Sequence, residues 1–181
     1  MTKVFGHALK LINDRYKSVH DISQGVISIV MKSVYISISG TNFSSRFVIR
    51  EMSLYFPHNH SWRHYFFDCP PDIWINDKDR KTDWYTRRVL GGIGIRTRLP
   101  GSLQHGQHKI ILSKLWSDHK IYCAGHITAR FLQELLPYAD IEDKQESSPF
   151  YYPKELPTAN CGTDHRARYC SLAKLRYFLG Q

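Results

Sequence analysis

The pattern of apolar and polar residues predicts a β-hairpin in the first third of the chain. Residues 47–56 are rich in β-branched and aromatic side chains, and residues 64–67 continue in the same way, as is typical of strands. The Pro-His-Asn-His stretch at 57–60 between them predicts a turn. Two prolines, Pro70 and Pro71, end the pairing because proline cannot donate a ladder hydrogen bond.

Beyond the hairpin the pattern alternates between helices and strands. The clearest helix runs over residues 127–136, where the apolar residues form a one-sided stripe that ends at Pro137. Short helices are expected between residues 72 and 88. The remaining predictions are helices at 110–116 and 171–179 and strands at 120–125 and 138–143. A hairpin followed by alternating elements predicts an α/β fold, with helices packed against a mixed sheet.

The N-terminal segment does not continue this pattern. Apolar residues between positions 4 and 19 recur every three or four residues, which predicts an amphipathic helix. Residues 26–38 alternate apolar residues with serine, which predicts a strand. We interpret residues 1–42 as an N-terminal extension and residues 43–181 as the main domain.

Length and composition narrow the class of protein. The chain of 181 residues is long enough for one domain with a sizeable core. It has no run of about 18 uncharged apolar residues, so we expect no membrane span. The first residues lack the order of a signal peptide, which predicts an intracellular protein, cytoplasmic or nuclear, whose four cysteines are reduced or metal-bound.

Two cysteines and a histidine lie close together near the C-terminus. Cys161, His165 and Cys170 fall within ten residues, just before the last predicted helix. Thiolates and an imidazole are ligands that tetrahedral zinc prefers, and one further ligand would complete such a site. The alternative is a buried thiol, a histidine at a helix entry and a third residue that is nearby by chance, because free cysteine is also a common core residue.

The same residues carry a resemblance to a known superfamily. The pattern His165-x-Ala167-x-x-Cys170 resembles the last motif of the DnaQ-type (DEDDh) 3′–5′ exonucleases, with Cys170 in place of a metal-binding aspartate. It is similar in this exchange to the Maelstrom domain of the piRNA pathway, an RNase H-like branch that holds zinc with a Glu-Cys-His-Cys set. Arg50-Glu51 stands where the first exonuclease strand carries Asp-x-Glu. The resemblance therefore implies Glu51 as the fourth ligand; otherwise Glu51 is an ordinary strand residue facing solvent.

The resemblance covers about residues 45–180 and has consequences for fold and activity. It implies an RNase H-like mixed sheet flanked by helices, preceded by the N-terminal extension. A second exonuclease motif would place an aspartate on the helix after Gly125-His126, where this chain has Thr128, Ala129 and Arg130. Two-metal hydrolysis needs several hard oxygen ligands, so we expect no DnaQ-type exonuclease activity. A closed four-ligand zinc would be structural.

Positive charge is concentrated in the middle of the chain. Residues 80–120 hold nine Lys or Arg residues against two acids, so seven of the net nine positive charges lie there, interleaved with aromatic residues. Cations beside aromatic rings favour binding of single-stranded RNA. The alternative is a solvated basic face with tryptophans in the core. The candidate RNA-binding residues are Arg87, Arg88, Arg96, Arg98, Trp84 and Trp116.

Three function classes follow. The chain is a single-stranded RNA-binding module, a noncanonical metal-independent ribonuclease, or a protein-interaction scaffold in a small-RNA silencing complex. The glycine-rich stretch at 91–94 does not have the GxGxxG spacing of a phosphate loop, and no helix is expected directly after it. For the ribonuclease alternative the candidate acid–base groups are His58, His60, His64 and Arg63.

Overall fold

The computed structural model describes most of the chain after residue 31. The described residues are 32–43, 46–70, 73, 76–88, 92–94, 97–116, 119–144, 156, 161, 165–166 and 169–181. They all belong to one compact unit, Met31–Gln181. The helix predicted between positions 4 and 19 lies outside the described residues.

Five strands form one mixed sheet in the order β3-β2-β1-β4-β5. They are β1 (Lys32–Phe43), β2 (Arg46–Phe56), β3 (Ser61–Phe66), β4 (His119–Cys123) and β5 (Ile141–Asp143). The first three strands pair antiparallel, whereas β4 runs parallel to β1 and β5 parallel to β4. The predicted α/β class with a mixed sheet is confirmed.

The strand β1 lies at the centre of the sheet, between β2 and β4. The boundary predicted between residues 42 and 43 is therefore wrong for this segment, because it would place nearly all of β1 outside the domain. Two of the serines that alternate along β1, Ser37 and Ser39, are buried. The second predicted hairpin strand, 64–67, belongs to β3, which begins earlier, at Ser61.

Within the described residues, four helices accompany the sheet. They are α1 (Asp77–Arg88), α2 (Gln107–Ser113), α3 (His126–Leu135) and α4 (Ser171–Phe178), and a 3-10 turn at Pro57–Asn59 joins β2 to β3. Gly125 is the N-cap residue of α3; its φ of 103° suits glycine, and its N–H donates to Asp143 Oδ1 at 2.9 Å. Among the described helices, none has both the length and the apolar character that a membrane crossing requires.

The two faces of the sheet are covered differently. On one face, register brings Ile36 opposite both Leu54 and Cys123, and these residues pack with Leu112 and Leu132 of α2 and α3 in the main core. On the other face, α4 packs against β1 and β2. The strand β2 is therefore buried along nearly its whole length.

A β-bulge interrupts the pairing of β1 with β2. Ser39 pairs with Glu51 and Gly40 with Ile49, so Arg50 is the extra residue. A Cβ on Gly40 would lie 2.2 Å from the Val48 carbonyl oxygen, so only glycine allows this approach. The buried Arg50 side chain donates from Nε to the Phe67 carbonyl at 2.9 Å and from a terminal nitrogen to the Gly94 carbonyl at 2.6 Å. The bulge thus joins the sheet to the loop that follows α1.

Candidate metal centre

The four residues expected to bind metal meet at one point in the fold. One ligand atom from each of Glu51, Cys161, His165 and Cys170 lies within 4.8 Å of the other three. Bonds of about 2.0–2.3 Å to a tetrahedral zinc place neighbouring ligand atoms about 3.3–3.8 Å apart. Side-chain adjustments of about 1 Å would therefore surround an ion, and the donor set is one that could hold a metal.

Glu51 projects from β2 toward α4 and is fully buried. Its Oε2 accepts a hydrogen bond from the Ser171 backbone N–H at 3.0 Å and lies 3.3 Å from His165 Nε2. Its Oε1 lies 3.3 Å from Cys170 Sγ and 2.9 Å from His64 Nε2. Burial alone would raise the pKa of this carboxyl, but hydrogen bonds from His165 and His64 outweigh it and lower the pKa to about 2. Glu51 is therefore ionised at neutral pH, as a carboxylate ligand of a metal ion would have to be.

Cys170 stands at the first turn of α4, in the N-cap position. Its sulfur accepts from the Ala173 backbone N–H at 3.5 Å, as an N-cap side chain does. Burial, and then the negative charge of Glu51, raise the pKa of this thiol well above its usual range. Without a cation the thiol stays protonated and donates toward Glu51. A bound metal would favour the thiolate instead, since metal ligation requires its deprotonation.

Cys161 and His165 come from the segment that precedes α4. The Sγ of Cys161 lies 3.8 Å from Nδ1 of His165, whose side chain is almost completely buried. Apolar residues surround the sulfurs: Cys170 packs with Leu156, Leu172 and Ala173, and Trp62 and Cys161 lie against them. Such a shell keeps water from the ligands and favours a closed site.

His64 is a member of this cluster that the metal prediction did not include. It is placed by hairpin register: Glu51 pairs with Phe66, so His64 lies diagonally across on the same face of the sheet. Its Nδ1 lies 3.5 Å from the Ser53 hydroxyl, and its Nε2 lies 2.9 Å from the Glu51 carboxylate. The sequence signal that could have found it is the hairpin turn, which fixes this register.

The position of Glu51 departs from the resemblance in one respect. Glu51 is on β2, whereas the resemblance implies a glutamate on the first strand of the fold. The error came from the misplaced domain boundary, because the expected first strand is the second strand of the sheet. The position opposite Glu51 on β1 is Ser39.

The candidate ribonuclease histidines do not share a partner in the described structure. His64 contacts Glu51, His60 Nδ1 lies 3.2 Å from the Tyr55 hydroxyl, and the His58 ring lies 6.1 Å from those of Phe56 and His119. Arg63 lies over the Phe56 ring. His64 therefore belongs with the metal cluster rather than with an acid–base pair.

The candidate RNA-binding residues are largely at the surface. Trp84, Arg87 and Arg88 follow one another at helical spacing on α1 and are exposed, with Trp84 55% exposed. Trp116, after α2, is 41% exposed. The alternative that places these two tryptophans in the core is thus wrong. Arg98 is also exposed, and Arg96 lies outside the described residues.

Comparisons with known proteins give no identification. No protein-family model matches the chain, and no curated protein matches it.

Proposed function

We propose that this chain is a zinc-stabilised RNase H-like domain of the Maelstrom type that lacks DnaQ-type exonuclease activity and binds single-stranded RNA. The observation that carries the proposal is the meeting of Glu51, Cys161, His165 and Cys170 within 4.8 Å. Those residues come from β2 and from the segment around the start of α4, and Glu51 and Cys170 are 119 positions apart in sequence. Their convergence supports a designated ligand set.

The ligand types support zinc and a structural role. Two sulfurs and an imidazole favour zinc over magnesium, which requires oxygen ligands. With the Glu51 carboxylate the ion would have four protein ligands and no open position for a water. Such an ion stabilises the fold, and the hydrolytic chemistry of a two-metal exonuclease is not expected at it.

The surface of α1 supports the RNA-binding part of the proposal. Exposed Trp84 and Tyr85 offer rings on which bases can stack, and Arg87 and Arg88 lie one turn away to neutralise phosphates. The proposal also includes binding of this domain to protein partners in a small-RNA silencing complex. The mixed five-strand sheet with helices packed against it is compatible with an RNase H-like domain.

Metal analysis of matched cysteine variants tests the zinc site. We expect the purified protein to contain one zinc per chain by mass spectrometry, and Cys170→Ala to lose it. Cys123→Ala is the control, because Cys123 is equally buried but lies in the main core, where its Sγ is 3.9 Å from the Glu142 carbonyl oxygen. Wild-type protein without stoichiometric metal, or equal loss in both variants, would contradict the site.

RNA binding is tested by its dependence on salt. Replacement of Arg87, Arg88, Arg96 and Arg98 by alanine should weaken single-stranded RNA binding and flatten the slope of log affinity against log salt by up to about 3, since each phosphate contact contributes about 0.7. A charge-matched control replaces Lys32, Lys120, Arg130 and Lys144. Fluorescence anisotropy measures both. Equal effects of the two variants, or no RNA binding at low salt, would favour the scaffold function instead.

A further inference from the structure

A small cavity with several polar side chains in its wall lies beside the candidate metal centre, and metal binding does not account for it. Its volume is about 40 Å³, and it lies among β1, β2, the end of α1 and the start of α4. Because one water requires about 10–15 Å³, the cavity has room for about three waters or one compact polar group. The side chains that matter for its chemistry are Ser39, Arg50, Glu51, Thr86, Tyr169 and Lys174.

The wall formed by β1 and α4 presents a cation and a hydroxyl together. Lys174, half-buried on α4, donates from Nζ to the Ser39 hydroxyl oxygen at 2.9 Å. Ser39 is nearly inaccessible, so this pair is held in place by the packing of α4 on β1. An ammonium group with a hydroxyl beside it is suited to bind the oxygens of an anion.

The β-bulge adds Arg50 to the same cavity. Since Arg50 is the extra residue on β2, both it and Glu51 line the cavity instead of alternating between faces. Arg50 donates to the Gly94 carbonyl and so fixes the loop that closes one side. The positive charge of Arg50 therefore lies in the cavity wall. The two carboxylate oxygens of Glu51 contact His64, His165 and the Ser171 backbone N–H.

The cavity adjoins the basic surface of α1. Thr86 lines it, and this residue immediately precedes Arg87 and Arg88 in the sequence. The Arg87 side chain lies against Gly94, at whose Cα an added Cβ would be 2.9 Å from Arg87 Cδ. The end of α1 thus contributes both to the cavity wall, through Thr86, and to the basic surface, through Arg87 and Arg88.

We propose that this cavity binds one phosphate group, recognised by Lys174 and Ser39. The source of that phosphate rests on the proposed function: it is a phosphate of single-stranded RNA, either in the backbone or at the 5′ end. The cavity then fixes one nucleotide beside the metal centre while α1 holds its neighbours.

Inorganic phosphate tests the cavity independently of RNA. We expect phosphate to raise the melting temperature of the zinc-loaded protein more than sodium chloride does at equal ionic strength. Lys174→Met should abolish this difference, Ser39→Ala should reduce it, and Lys174→Arg should retain part of it. Lys144→Met is the control. It also removes one half-buried lysine, but this lysine directly follows β5, at the other end of the sheet order from β3. Equal phosphate responses in wild type and Lys174→Met, both with full zinc content, would overturn the proposal.

RNA then identifies the source of the phosphate. Lys174→Met should make the salt slope for single-stranded RNA shallower by about 0.7 relative to Lys144→Met. An effect confined to 5′-phosphorylated oligonucleotides assigns the end, and an equal effect on 5′-hydroxyl oligonucleotides assigns the backbone. If phosphate binds but RNA does not, the RNA-binding function is wrong and the proposal of a phosphate site in the cavity is supported. If RNA binds wild type and Lys174→Met alike and phosphate has no effect, the cavity proposal is wrong and the function stands.

Discussion

Glu51 is a carboxylate removed from water, and the residues around it determine what the site can do. Burying a charge is unfavourable unless partners compensate it. Here His64, His165 and the Ser171 N–H supply that compensation, and two thiols complete the surroundings. The Cys-His-Cys spacing indicated three of these groups in sequence. The bulge at Arg50 could not be predicted, because it depends on how β1 pairs with β2. His64 could be placed beside Glu51 only from the register that the hairpin turn fixes.

His108 is another buried ionisable residue, and it lies outside the cluster of Glu51, Cys161, His165 and Cys170. It lies at the start of α2 with 3% exposure, against the rings of Phe67 and Phe131. Burial first, and then the charges of His105 and Lys109, lower its pKa to about 4. The folded protein therefore keeps this ring neutral, while the unfolded chain binds a proton at about pH 6.5.

This difference predicts a specific loss of stability in acid. Between about pH 6.5 and 4 the unfolded chain binds more protons than the folded one at His108, so the free energy of unfolding falls as pH falls, by up to about 3 kcal/mol. His108→Gln should remove this part of the pH dependence in urea unfolding. The control His105→Gln, at an exposed position, should retain most of it. Identical pH profiles for His108→Gln and wild type would contradict the assignment.

At the scale of elements, the local patterns predicted most of the helices and strands that the structure describes. The one-sided stripe of α3 and the aromatic content of β2 are local properties, so they can be read from sequence. The role of β1 cannot, because a central strand is defined by its partners β2 and β4. The strand β2 follows β1 directly in sequence, whereas β4 comes only after β3, α1 and α2.

The last helix carries a prediction at this scale. Leu175 is 1% exposed on α4, which packs on β1 and β2, whereas Leu179 after the helix is only half-buried. Leu175→Ala should lower the free energy of unfolding by about 2–5 kcal/mol, through lost burial and a cavity. Leu179→Ala should lower the free energy of unfolding by a clearly smaller amount. Urea unfolding of the zinc-loaded proteins measures both, and a change near zero for Leu175→Ala would mean that α4 does not pack as described.

At the scale of the whole molecule, different kinds of interaction stabilise the two faces of the sheet. The face covered by α2 and α3 is a continuous apolar core that includes Ile36, Leu54 and Leu132. The face covered by α4 is more polar: Ser53 contacts Ser171 at 2.7 Å, Lys174 contacts Ser39, and Glu51 contacts His165 and Cys170. We expect the stability of the face covered by α4 to depend on metal binding. The free energy of metal binding contributes to folding only where the ligands meet, and they meet on this face.

Removal of zinc should therefore destabilise the protein unevenly. At free zinc a thousandfold above its dissociation constant, the ion contributes about 4 kcal/mol, and a domain of this size loses about 2–4 °C per kcal/mol. Chelation should thus lower the melting temperature by about 8–16 °C in wild type, and not at all in Cys170→Ala, which has no ion to lose. Hydrogen exchange should quicken first in α4 and β3, while β4 and α3 stay protected by the apolar core. Complete metal removal with an unchanged melting temperature, or uniform loss of protection, would show that the ion does not join α4 to the sheet.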